Sequence, residues 1–339
     1  MRLRARYVAP LVLTAALATA ACGQSGSSGT GGSAASGSSS GSSAGASCAP
    51  VSSQQLVALQ DDKHLQNADN VIPAVNSSAA SASAQLVPTL DKISAVLTTD
   101  DLISMNADVD VQRKSATDVA AAYVKDKKLD SGVSGGSGKV VVGGGNFTES
   151  TVLANVYADV LKAAGFDASV QTVGNREVYL PALEQGQIQV FPEYLSTVTE
   201  FINKQVNGSG ATAVASGDVD ATVKALTPLA QQKGLTFGTP SKAADQNAFA
   251  VTKAFADKLG VTTLSQLAAK CGGSSLVLAG PPECPTRPYC QPGLEKTYGL
   301  TFASFSTTDS GGPLTKAALQ QGKASIGLVF SSDGSLAKQ

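Results

Sequence analysis

The chain has 339 residues, with 25 Lys and Arg against 26 Asp and Glu, a net charge of −1, one histidine and no tryptophan. A near-neutral chain without a basic cluster is not built to neutralise phosphates, which excludes nucleic acid as a partner. The lone histidine, His64, lies in the polar run Asp61-Asp62-Lys63-His64 and reads as a surface or hinge residue rather than a catalytic base.

Arg2, Arg4 and Arg6 make a basic start, followed by an apolar run from Tyr7 to Ala21. The run is too short for a spanning helix and reads as a secretory signal over residues 1–21. Small residues lead directly into Cys22, as in a bacterial lipoprotein cleavage site, so Cys22 is expected to become the lipidated N-terminus and membrane anchor. Residues 22–47 are nearly all Ser, Gly and Ala, cannot bury a core, and are expected to form a disordered tether.

The remaining body, about 290 residues, is long enough for two lobes with separate cores. Strands are expected at Leu56–Leu59 and Val71–Val75. Leu86, Leu90, Ile93 and Leu97 have helical spacing, and Asp118–Lys128 reads as a second helix. A glycine-rich seam, Gly132–Gly138, precedes a strand at Lys139–Val142. A helix over about Glu149–Ala164 follows, with Thr148 as the expected N-cap and Gly165 as the stop. Beyond it come a strand (Ala168–Val173), a helix (Arg176–Glu184), a strand running into Pro192-Glu193-Tyr194, and a helix (Asp218–Lys233). The last third reads as strand Asn247–Thr252, two short helices, strand Leu276–Leu278, helix Leu314–Gln321 and strand Ile326–Phe330. Alternating strands and helices indicate an α/β class.

Four cysteines remain after Cys22, an even number that suggests two disulfides in an exported protein, with three connectivities open. Cys284 and Cys290 lie close together in a proline-rich loop and form the expected first pair, leaving Cys48 with Cys271 by elimination. The spacings miss the usual zinc patterns, and no metal or other cofactor is implied. Gly132-Val133-Ser134-Gly135-Gly136 matches G-x-S-x-G literally but lies in a linker rather than on a strand-to-helix elbow. Gly143–Gly145 lacks the Gly-Lys-Ser/Thr of a phosphate loop. A secreted α/β hydrolase, the alternative from another class, would need a base that this chain does not supply, so the chain is not read as an enzyme.

Several blocks together resemble the glycine betaine/choline family of ABC-transporter substrate-binding proteins. They are Gly145-Asn146-Phe147-Thr148-Glu149, Arg176 to Glu184 with Pro192-Glu193-Tyr194, Asp245 to Val251, Pro285-Thr-Arg287-Pro with Pro292 to Gly299, and Gly327 to Gly334. The resemblance implies a two-lobed periplasmic-binding-protein fold of type II, with a hinge and a small ligand between the lobes. It also implies delivery of that ligand to an ABC permease and its ATPase. Family members place a strand like Leu56–Leu59 and one like Asn70–Val75 after the last of these blocks, whereas here both come first. The order is therefore read as circularly permuted. Residues 54–130 are the family's C-terminal segment of lobe one, 131–138 the join, 139–243 the lobe-one core and 244–335 lobe two.

The resemblance also implies a quaternary-ammonium ligand held by ring faces through cation–π attraction. By position, Tyr194 matches a cage tyrosine and Thr197 a hydroxyl donor. Phe249 and Phe330 stand where many members have tyrosine, and Asp69 replaces another cage residue. Asn146 lies in the first strand–helix turn, and Arg287 matches the arginine that holds a ligand carboxylate. Gly145 stands where many members have lysine. Choline suits Asp69 and Gly145, while the retained Arg287 suits a betaine, and another small polar or aromatic solute is the alternative.

Overall fold

The computed structural model describes residues 48–67, 69–272 and 276–336. The signal, Cys22 and the tether lie outside the described residues. In chain order the strands are β1 (Leu56–Leu59), β2 (Val71–Asn76), β3 (Lys139–Gly144), β4 (Asp167–Thr172), β5 (Val190–Tyr194), β6 (Leu235–Phe237), β7 (Asn247–Thr252), β8 (Val277–Gly280), β9 (Ser304–Thr307) and β10 (Ile326–Phe330). The helices are α1 (Ser77–Ala82), α2 (Leu86–Ser94), α3 (Thr99–Asp110), α4 (Ala116–Asp126), α5 (Thr148–Ala164) and α6 (Arg176–Glu184). They continue with α7 (Leu195–Asn207), α8 (Val219–Gln232), α9 (Lys253–Leu259), α10 (Leu264–Cys271), the single turn α11 (Gln291–Gly293) and α12 (Pro313–Gln320).

The strands form two five-stranded sheets, each at the centre of one lobe. The first has the order β4-β3-β5-β2-β6 and the second β1-β7-β10-β8-β9. Both mix parallel and antiparallel pairs: β3 runs parallel to β4 and β5, and β8 parallel to β9 and β10, while β2, β7 and β1 pair antiparallel. Side chains alternate across each strand, and both faces are covered. In β3, Val140 and Val142 enter one core with Leu153 and Tyr157 of α5, while Val141 packs on the opposite face with Leu180 and Phe191. In β7, Phe249 and Val251 face one core, and Ala248 and Ala250 the other.

One boundary from the sequence needs correcting. Residues 54–130 were expected to lie in lobe one, but Leu56–Leu59 pairs with Thr252–Phe249 and edges the second sheet. Val57 and Leu59 bury into the second lobe's core, so lobe one begins only at β2. A second correction concerns α5, whose N-cap is Phe147 in an extended conformation. Thr148 is its first helical residue, and its hydroxyl donates to Asp110 Oδ1 at 2.7 Å, tying the start of α5 to the end of α3.

Both expected disulfides are present, Cys48–Cys271 and Cys284–Cys290. The connecting stretches are hydrogen-bonded side by side. Asp245 N–H donates to Asp69 C=O, Val71 N–H to Ala243 C=O, and Ser331 N–H to Gln246 C=O. Stretches leading into and out of both sheets thus form one hinge, against which the turn at Ser331 and Ser332 is hydrogen-bonded.

Candidate functional site

The parallel strands of both sheets point their carboxyl ends at one crevice, the place where open α/β sheets bind ligands. β3 delivers Asn146 and Phe147, β5 delivers Tyr194, β8 leads to the disulfide-closed stretch Cys284–Cys290, and β10 ends at Phe330. Together they line a cavity of about 330 Å³ between the lobes, large enough for a small organic ligand.

Rings from both lobes meet there. Phe147 lies 5.3 Å from Phe330 and 6.2 Å from Tyr194, centroid to centroid. Gly145 allows this approach, since a Cβ there would sit 3.1 Å from the Phe147 ring. Tyr179 and Tyr289 add further rings to the lining. Tyr194 is fixed through its hydroxyl, which donates to Glu149 Oε1 at 2.7 Å. Burial, and then the nearby Glu149 charge, push the Tyr194 hydroxyl far above the usual phenol range, so it stays a neutral donor.

Beneath the rings lie buried carboxyl groups. Glu149 accepts from Asn106 Nδ2 at 2.8 Å as well as from Tyr194. Asp245 accepts from Ser332 N–H at 3.0 Å and from Ser331 Oγ at 3.2 Å. Burial raises both acids, and the charge of Glu149 raises Asp245 further. Asp69 Oδ1 accepts from Ser196 N–H at 2.7 Å and Thr197 N–H at 3.1 Å, closing the N-terminus of α7. Burial pushes Asp69 up to about 6, although Arg176 and these donors oppose the shift.

Such an acid binds its proton more tightly when folded than when unfolded. Its contribution to stability is complete below the unfolded value of 3.8 and is lost as pH rises through about 6. The loss amounts to about 3 kcal/mol. Urea unfolding of the wild type and Asp69→Asn from pH 4 to pH 7 isolates it. The wild type should lose stability relative to the variant as pH rises, and a flat difference would show that Asp69 is not raised.

The cationic side chains of the lining are largely paired. Arg176 donates through Nε and Nη2 to Glu193 at 3.0 and 2.8 Å, and through Nη2 to Thr197 Oγ1 at 2.8 Å. Arg287 donates to Glu177 at 3.3 and 2.8 Å and lies 3.6 Å from Glu283. Even without Asp245, whose proton affinity is raised, carboxylates at Asp69, Glu177, Glu200 and Glu283 outnumber the cations Arg176, Lys204 and Arg287 along the cavity.

A family model described as the substrate-binding domain of ABC-type glycine betaine transport systems matches residues 49–126 and 138–339, well over half of the chain. The chain belongs to this family. The family is one of transport substrate-binding domains, not of enzymes. A glycine-betaine-binding protein of Pseudomonas aeruginosa is 26% identical over 205 residues, which cover 58% of this chain and 62% of that protein. The matched stretch thus spans less than two thirds of this relative's length. Similar solved structures include apo YehZ from Escherichia coli, with 22% identity, a TM-score of 0.40 and coverage of 59% of this chain and 75% of that one. A structure of a glycine betaine/carnitine/choline ABC transporter has 19% identity and a TM-score of 0.37, covering 58% and 70% of the two chains.

Of the residues named from the sequence, this member of the glycine betaine family brings Asp69, Asn146, Tyr194, Thr197, Arg287 and Phe330 to one cavity. Phe249 is the exception, and its reading as a cage ring is corrected. It lies on the same face of β7 as the cavity residue Asn247 but two residues further along, 1% exposed, in the core that also holds Cys284, Cys290 and Leu294. Phe330 pairs in register with Asn247 at the strand end and so reaches the crevice instead. The Thr197 hydroxyl accepts from Arg176 and donates to Tyr194 C=O at 3.5 Å, and the Nε–Nη2 edge of Arg287 is turned to Glu177.

Sequence reading missed Phe147, Tyr289, Glu177 and Asp245 as site residues. Phe147 was legible, being the only ring in the turn after β3, a position that opens onto the crevice. Tyr289 is placed by distant contacts: its hydroxyl accepts from Asn67 Nδ2 at 3.1 Å, and its carbonyl from Asn247 Nδ2 at 3.0 Å.

Proposed function

We propose that this chain is the extracytoplasmic receptor of an ABC importer, which holds a quaternary-ammonium compound in the inter-lobe crevice and delivers it to a permease. One observation carries the reading: an aromatic cavity rimmed by a surplus of carboxylates, with both of its guanidinium groups already paired. Ring faces hold a desolvated cation with about 2 kcal/mol or more, and the carboxylates supply the field that draws it in. Membership in the glycine betaine family supports the same class of ligand. Closure of the lobes about the hinge is the state a permease would recognise.

The test is thermal unfolding against choline, glycine betaine, carnitine, ergothioneine and proline betaine. A ligand at 100 times its dissociation constant adds about 2.7 kcal/mol. That stabilisation is expected with at least one of these compounds and is expected to vanish in Tyr194→Ala. No stabilisation by any of them would overturn the quaternary-ammonium reading.

Two features accompany this proposal. Cys22 would carry the lipid that anchors the receptor, and Cys22→Ser should then release it from membranes. The chain order would be a circular permutation joined over 131–138. In support, the family match breaks between residues 126 and 138.

A further inference from the structure

Arg287 and Glu177 lie on opposite walls of the cavity. Arg287 sits inside the stretch closed by the Cys284–Cys290 disulfide in the second lobe, and Glu177 in the first turn of α6 in the first lobe. Nε and Nη2 of Arg287 meet Oε1 and Oε2 of Glu177, the fork-to-fork geometry that a guanidinium offers any carboxylate. Burial raises the Glu177 carboxyl, but the hydrogen bond and charge of Arg287 outweigh it and hold the group below the usual range. Glu283, 3.6 Å away, adds a second negative charge to the same guanidinium.

The other guanidinium of the lining, Arg176, is held by the buried Glu193. A ligand carboxylate that takes the Nε–Nη2 edge of Arg287 would have to displace Glu177 and remain beside its charge. A simple cation meets no such competitor and gains from both carboxylates.

On the quaternary-ammonium reading, on which this step rests, we infer that Glu177 is a specificity-determining residue that occupies Arg287 across the mouth of the crevice and so favours a carboxylate-free cation over a zwitterion. It acts through Arg287 and is a positioning residue. Glu177→Gln keeps the shape, removes the competing charge and leaves one acceptor in place of two on the guanidinium edge.

Isothermal titration of the full chain with choline and with glycine betaine tests this. The wild type is expected to bind choline at least tenfold more tightly. Glu177→Gln should shift the choline-to-betaine ratio toward betaine by roughly tenfold to a hundredfold, the range of one charge-assisted pair. Adding Arg287→Gln should abolish the betaine gain of Glu177→Gln, which a merely structural role of Glu177 does not predict. Unfolding midpoints of the variants verify that each is folded.

Equal or tighter betaine binding by the wild type would overturn the role of Glu177 while keeping the ligand class. A ratio unmoved by Glu177→Gln would do the same. Binding of neither compound, nor of any other quaternary ammonium, would remove the functional reading and this inference with it.

Discussion

Arg176→Ala is expected to lower the free energy of unfolding by about 3–5 kcal/mol. The guanidinium side chain is 8% exposed and its partner Glu193 is fully buried on β5, the middle strand of the first sheet. Glu193 takes two hydrogen bonds from Arg176, one from the Tyr179 hydroxyl at 2.9 Å and one from Tyr194 N–H at 2.9 Å. Alanine would leave the carboxylate in the protein interior with only the last two. The effect would reach the site, because Arg176 also holds the Thr197 hydroxyl and opposes the raised proton affinity of Asp69. Urea unfolding followed by circular dichroism measures the loss. A drop under about 1 kcal/mol, the scale of an exposed ion pair, would show that the buried pair does not hold the sheet in place.

Removal of the Cys48–Cys271 disulfide by paired serine substitutions should cost on the order of 5 kcal/mol, in the chain-entropy model of cross-links. The bridge spans 223 positions of sequence, so it restrains about two thirds of the unfolded chain. Cys284–Cys290 spans only 6, and its removal should cost about 2 kcal/mol on the same reasoning. The folded protein adds its own contribution to the first bridge. Cys48 is buried in the second lobe's core, and the residues after it are stitched down by Ser53 N–H to Gln320 C=O and Thr252 Oγ1 to Val51 C=O. Unfolding curves for the two serine pairs, measured side by side, check the ordering. A larger loss from Cys284–Cys290 would mean that local packing around the crevice outweighs chain entropy.

Much of the fold was legible because its signals are local. α5 announces itself through apolar spacing and its Gly165 stop, in left-handed conformation at φ 106°. β7 and β10 match their sequence bounds, since a short apolar run between polar turns leaves a buried strand few alternatives. α7 was missed: Leu195-Ser-Thr-Val-Thr is rich in β-branched residues and reads as more strand, and the amides that start the helix are met from over a hundred residues earlier, Leu195 N–H by Asn70 C=O and Ser196 and Thr197 N–H by the Asp69 carboxylate. α3 was missed because its apolar residues are few, and its helical state rests on a capping box from Thr98 and Asp101.

The sequence by itself determined the α/β class and the family, and pointed to the Cys284–Cys290 pair, because these depend on local periodicity or on blocks of nearby residues, whereas Cys48–Cys271 followed only by elimination. Tertiary structure alone decided that β1 edges the second sheet, that Phe249 is core while Tyr289 lines the cavity, and that Arg287 faces Glu177. Strand alternation tells which residues share a face, but not how deep on that face each one lies. Nor can a carboxylate 110 positions from a guanidinium be read as its partner until two sheets, each closed by its own core, bring their strand ends to one crevice.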